Sequence, residues 1–226
     1  MKRCEYEQIE NCMLRCMQDS AHDKDHVYRV LYNAMVIARE ECCTDMDVLI
    51  AACLLHDIGR PEQIADPAVC HAQVGAEKAY AFLLEAGWAP ERAEHVRQCI
   101  RTHRFRKGAP PESIEAKILY DADKLDVTGA IGAARTLQYN GALGEPIYET
   151  SPDGTILDGT GAEEGDSFFR EYRWKLCRVY DRFLTASGAR LAAQRRQAAE
   201  DFYRSVLQEA SETVEAGRGT LEAALE

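Results

Sequence analysis

The chain has 226 residues, 46% hydrophobic and 29% charged, enough for one large domain, or one domain plus a small appendage, with a substantial core. Its formal net charge of −11 argues against a nucleic-acid coat protein, because a phosphate backbone would meet a mostly acidic surface. A small phosphorylated ligand needs only a local cationic pocket and is not excluded.

Helical periodicity dominates in chain order. An amphipathic stretch from about Tyr6 to Met17 predicts an N-terminal helix, within residues 1–20, that packs on the core. Met1-Lys2-Arg3 leads into Glu5, Glu7 and Glu10 rather than into an apolar segment, so no secretory signal is read and a cytoplasmic protein is expected. After a polar break over 19–23, Asp23 or Asp25 caps a helix carrying Val27, Val30, Leu31, Ala34 and Ile37 at 3–4 spacing. Thr44 or Asp45 caps a helix through Val48–Leu55, apolar on nearly every side, as a central buried helix is. This longest apolar run is too short to cross a bilayer, so no membrane association is expected. Gly59 and Pro61 stop it.

A helix over Gln73–Ala86 ends at Gly87, Pro90 opens another through Thr102, and Gly108-Ala109-Pro110-Pro111 is a loop. Glu112–Leu137 reads as one long helix, bent near Gly129 or Gly132. Residues 140–165, rich in glycine, form an exposed flexible excursion. Helices over Ser167–Thr185 and Arg190–Ala216 follow, the first carrying Phe168, Phe169, Tyr172, Trp174 and Leu176 as core or as the surface of a homodimer; 217–226 is a polar tail. The nine cysteines include no C-x-x-C pair and read as reduced thiols. The fold class is all-α, a single helical bundle occupying 21–216.

His56-Asp57 follows the buried run directly, placing an imidazole and a carboxylate at the inner end of a core helix. An ionised carboxylate there calls for a cation, which an arginine such as Arg60 or a metal would supply. His26 starts one apolar helix, His71 precedes another, and His103 ends a third on the stripe of Val96 and Ile100. Four histidines at the ends of separate core helices can converge on one point. Imidazole with carboxylate favours Mn, Fe, Co, Ni or Zn over Ca. Asp121, Asp123 and Asp126 interrupt an apolar helix, with Asp123 and Asp126 on neighbouring positions and Asp121 directed away. His22 is read as a residue that orients a ligand or caps a helix, and His95 as a surface residue.

The strings His22-Asp23-Lys24-Asp25-His26-Val27-Tyr28-Arg29-Val30, Leu54-Leu55-His56-Asp57-Ile58-Gly59-Arg60 and Ala122-Asp123-Lys124-Leu125-Asp126 occur in that order. With Gly129-Ala130-Ile131-Gly132-Ala133-Ala134-Arg135, they resemble the HD superfamily of metal-dependent phosphohydrolases over roughly Ser20–Glu209. The likeness is greatest to small bacterial members that include nucleotide pyrophosphohydrolases. The resemblance implies that His26, His56, Asp57 and Asp123 hold a divalent ion (Mn, Fe, Co, Ni, Mg or Zn), one or two per chain. It implies that His71 and His103 bind a second ion or contact phosphate.

Such an ion activates water and stabilises charge developing on phosphorus, with Asp57 or His71 as proton acceptor. Arg29, Arg60, Arg104 and Lys124 lie near these residues in sequence and are expected to contact the phosphates of a small nucleotide-type substrate, Arg104 within the cationic segment Arg101–Lys107. Two alternatives stand beside hydrolysis. Some HD-fold proteins use a six-ligand set to hold two irons and activate oxygen, and a non-catalytic protein would bind a nucleotide without turnover.

Overall fold

The structure, a computed structural model, describes residues 1–17, 24–42, 44–105, 110–161 and 164–225. The predicted loop at 108–111, the residues His22, Asp23, Arg106 and Lys107, and part of the 140–165 segment therefore fall wholly or partly outside the described residues. Among the described residues ten α-helices form: α1 (Arg3–Cys16), α2 (Lys24–Ala38), α3 (Met46–Leu55), α4 (Arg60–Ala65), α5 (His71–Glu85), α6 (Pro90–Thr102), α7 (Ile114–Leu125), α8 (Gly129–Leu143), α9 (Phe168–Trp174) and α10 (Ala186–Leu225), with a 3₁₀ segment at Leu176–Asp181. Among the described residues there is no sheet, only one isolated antiparallel bridge between Thr150 and Ile156. No described helix is long and apolar enough to cross a membrane. The helices group into two compact units, Met1–Asp126 with Phe183–Gly188, and Val127–Arg182 with Ala189–Glu226.

The first unit is built around α3. Val48, Leu49 and the run Ala51–Leu55 are all buried, and α1, α2, α6 and α7 pack around the helix. Each leucine so enclosed contributes about 1.5–3 kcal/mol of transfer free energy. The Asp45 side chain starts α3 by accepting the backbone N–H groups of Asp47 and Val48 at 3.1 and 3.2 Å. On α2 the buried row Val27, Val30, Leu31, Ala34 and Ile37 begins one residue after His26, which fixes that imidazole over the core.

The chain does not become irregular at Pro61. Pro61 lies in the first turn of the short α4, where its missing N–H would be unpaired anyway. α5 presents the small row Ala72, Gly75, Ala76 and Ala79 and packs closely on α6, which buries Ala93, Val96, Cys99 and Ile100. Gly75 also meets Gly59: a Cβ on Gly59 would lie 2.3 Å from the His71 carbonyl oxygen and 2.6 Å from the Gly75 nitrogen. This glycine pair lets the first turn of α5 approach the turn that follows α3.

The apolar pattern over 112–137 is not one helix. Gly129 adopts φ +63, which no helix interior accommodates, so α7 ends at Leu125 and α8 starts afresh at Gly129. Asp121 on α7 is buried and accepts from Leu184 N, Thr185 N and Thr185 Oγ1 at 2.7–2.8 Å, fixing residues 183–188 to the first unit.

In the second unit Phe168, Phe169, Tyr172 and Leu176 join Ala133, Ile156, Ala199 and Tyr203 in one buried cluster, with Tyr172 stacked on Tyr203 at 4.3 Å. Trp174, by contrast, is exposed and lies between Arg170 and Arg178. The predicted helix over 167–185 breaks into α9 and the 3₁₀ segment. Much of 140–165 is surface, yet Ile156 is buried and the Asp158 carbonyl accepts from Tyr203 Oη. The residues expected as a polar tail continue α10 to Leu225; their alanine- and glutamate-rich composition sustains a helix without burial.

Candidate metal centre

The site lies wholly within the first unit. His56 is the C-cap of α3 and Asp57 the next residue, His26 starts α2, His71 starts α5, His103 caps α6, and Asp123 sits in the last turns of α7. Five helix ends thus converge. His26, His56 and Asp123 offer donor atoms within 4.8 Å of one another, and so do Asp57, His71 and His103.

Asp57 connects the two triads. Its Oδ2 lies 3.6 Å from both His26 Nε2 and His56 Nε2, while Oδ1 lies 3.2 Å from His71 Nε2 and 3.8 Å from His103 Nε2. His26 Nε2 is 3.4 Å from Asp123 Oδ1. Asp57 is 1% exposed, and neither of its oxygens nor His71 Nε2 has a hydrogen-bond partner. Buried polar atoms left this way are costly unless a further group binds between them. Imidazole and carboxylate donors at such spacing fit one or two divalent ions.

The ring orientations are imposed from behind. His26 Nδ1 is 2.7 Å from Asp126 Oδ2, His56 Nδ1 2.7 Å from the Cys53 carbonyl, His71 Nδ1 2.6 Å from Gln63 Oε1, and His103 Nδ1 2.6 Å from the Ile100 carbonyl. Each acceptor faces Nδ1 and leaves Nε2 turned toward the centre, the arrangement that readies histidine for a metal.

Burial pushes Asp57 up, but His56, Arg60, His26 and His103 outweigh it and hold the carboxyl well below the ordinary range. Asp123 is likewise lowered against burial, by His26 above all. Burial drives His71 down to about 2 and His103 down to about 4, so both are neutral at physiological pH. Burial lowers His26 as well, but Asp123 and Asp126 overcome it and raise that group to about 9. An ion entering beside His26 at neutral pH therefore displaces a proton.

The expected phosphate contacts fall into two groups. Arg60 Nε lies 3.0 Å from Asp57 Oδ1 without hydrogen-bond geometry, and Arg104 Nη1 is 3.1 Å from His71 Nδ1; both border the second triad. Arg29 instead donates to both oxygens of Asp126, at 2.7 and 3.1 Å. Lys124 places its ammonium 4.1 Å from the centre of the Tyr120 ring. His95 is half-buried, 3.1 Å from Glu115 Oε2, rather than a plain surface residue.

Sequence reasoning passed over Gln63 and gave Asp126 no role. Asp126 had a signal, its place three residues after Asp123 on an apolar helix, but Gln63 had none. Asp126→Ala is expected to weaken Mn²⁺ binding roughly 10–100-fold, with Asp126→Asn closer to wild type, since it keeps an acceptor. Equilibrium dialysis measures this, and an unchanged affinity in the alanine variant would remove Asp126 from the account.

Comparison with known proteins places the HD domain family on residues 24–128. A Bacillus subtilis protein, YpgQ, is 29% identical over 209 residues, covering 88% of this chain and 91% of its own length. Its crystal structure matches with a TM-score of 0.70 at 26% identity, covering 91% of this chain and 95% of that one. YpgQ in complex with ADP matches with the same score, identity and coverage. A predicted HD superfamily hydrolase from an uncultured Thermotogales bacterium matches with a TM-score of 0.61 at 29% identity, over 90% of this chain and 91% of that one.

Proposed function

This chain belongs to the HD-domain superfamily, and from that premise we propose that it is a metal-dependent phosphohydrolase cleaving a phosphoester or phosphoanhydride bond of a small nucleotide. The observation that carries the reading is the pair of orphaned Asp57 oxygens, one facing His26 and His56 and the other facing His71 and His103, at the centre of a buried donor set. A divalent ion bound there would activate water and stabilise charge on a transferring phosphoryl group.

The chain's own residues do the rest. Four imidazoles, locked from behind, keep the donors in place without reorganisation. His26, His56, Asp57 and Asp123 are the proposed primary ligands, with His71 and His103 completing a second position. Arg60 and Arg104, at the edge of the second triad, supply planar guanidinium groups suited to phosphate oxygens. Asp57 and His71 are the groups placed to accept the proton of an attacking water. That YpgQ has been solved with ADP supports a nucleotide as the substrate class.

A panel of nucleoside mono-, di- and triphosphates, screened with Mn, Co, Ni and Mg and with products identified, tests this. Release of phosphate or pyrophosphate that EDTA stops is expected. Nucleotide binding without turnover across the whole panel would contradict it and favour a sensor.

A further inference from the structure

The two triads differ in how their histidines are held. His26, His56 and His103 each turn Nδ1 to an acceptor, whereas His71 Nδ1 has two neighbours of opposite character: Gln63 Oε1 at 2.6 Å and Arg104 Nη1 at 3.1 Å. Only one can use that nitrogen, because an arginine only donates and an amide oxygen only accepts. The orientation of the Gln63 amide is not arbitrary, since Arg60 Nη1 donates to the same Oε1 at 3.4 Å. With the oxygen facing two nitrogens, His71 carries its proton on Nδ1 and donates it to Gln63.

The consequence appears on the other side of the ring. With the proton on Nδ1, His71 Nε2 presents a lone pair to Asp57 Oδ1 at 3.2 Å, and both atoms are buried without a hydrogen-bond partner. Two facing lone pairs repel unless a cation lies between them. In the other tautomer Nε2–H would donate to Asp57 Oδ1, while Nδ1 would accept from Arg104. That arrangement leaves no lone pair on Nε2 and closes the second triad to an ion, while Asp57 Oδ2 stays unpaired and the Gln63 oxygen faces a lone pair on Nδ1.

We propose that Gln63, its amide oriented by Arg60, is a positioning residue that selects the metal-binding tautomer of His71, and thereby controls whether the second triad takes an ion. Arg104 favours the closed tautomer. The first triad is outside this control, because Asp126 and the Cys53 carbonyl hold His26 and His56. The inference rests on the site being a metal centre, not on its hydrolysing a nucleotide.

The test is a titration of the full chain with Mn²⁺ alone, by equilibrium dialysis, with thermal melting of each variant to establish folding. The wild type is expected to bind two ions per chain. Gln63→Leu and Gln63→Met, which lack the acceptor, should weaken the second step roughly 10–100-fold and change the first by less than about 3-fold. Gln63→Glu, which keeps it, should restore the second step. The inference is overturned if the wild type binds a single ion, if Leu and Met leave both steps unchanged or weaken them equally, or if Glu fails to rescue. Two intact binding steps in a chain that hydrolyses no nucleotide would overturn the proposed function and leave this inference standing.

Discussion

Asp57→Asn is expected to lower kcat/KM by about 10³-fold or more, the loss that follows when several kcal/mol of metal-borne charge stabilisation disappear. No other described side chain serves both triads: Oδ2 faces His26 and His56, Oδ1 faces His71 and His103. Asparagine keeps the shape but places an NH₂ donor, without negative charge, against one pair of imidazoles. The fold should survive, because neither Asp57 oxygen takes part in a hydrogen bond that the substitution would break. Thermal melting separates the two effects. Mn²⁺ should raise the wild-type midpoint, as a ligand of the native state does, and leave that of the variant nearly unmoved. A variant that kept full activity and the same metal-dependent shift would show that Asp57 is not shared between ions.

Gly59→Ala is expected to cost about 1–3 kcal/mol of stability and, through the site, about 10²-fold in activity. Gly59 has φ −92, so its backbone would accept alanine. The obstacle is packing: the new methyl would meet the His71 carbonyl oxygen at 2.3 Å and the Gly75 backbone at 2.6 Å, and backbone cannot rotate aside. The N-terminal turn of α5 must retreat, carrying His71 away from Asp57. Gly87→Ala is the control. It has open space at the Cβ position but φ +83, so it should lose about 1–2 kcal/mol of stability while the activity of the folded protein is unchanged. Equal activity losses in the two variants would mean that the Gly59 effect is general destabilisation.

The all-α class was legible because periodicity records which face of a helix is buried. The run Val48–Leu55 and the row on α2 mark the elements that carry His56, Asp57 and His26 into the interior. Periodicity does not record which helix ends meet, so the division of the Asp57 oxygens between two triads could not be read from spacing. Nor could the Gly59–Gly75 approach, a tertiary contact between residues that each look like ordinary helix punctuation. Gln63 carries no pattern at all, since its role depends on a hydrogen bond to a residue on another helix. The long helix expected over 112–137 failed at Gly129 for a local reason, a positive φ that a helix-compatible apolar pattern concealed. Arg29 was near the right residues, but its guanidinium pairs with Asp126.

The central claim is that this buried donor set activates water for attack on phosphorus. The direct measurement is turnover of a nucleotide under anaerobic conditions with Mn²⁺ in heavy-oxygen water, followed by mass spectrometry of the products. One heavy oxygen atom per cleavage in a phosphoryl product, with no turnover in EDTA, is the result predicted. Turnover only with iron and dioxygen, or none with any nucleotide, would contradict it.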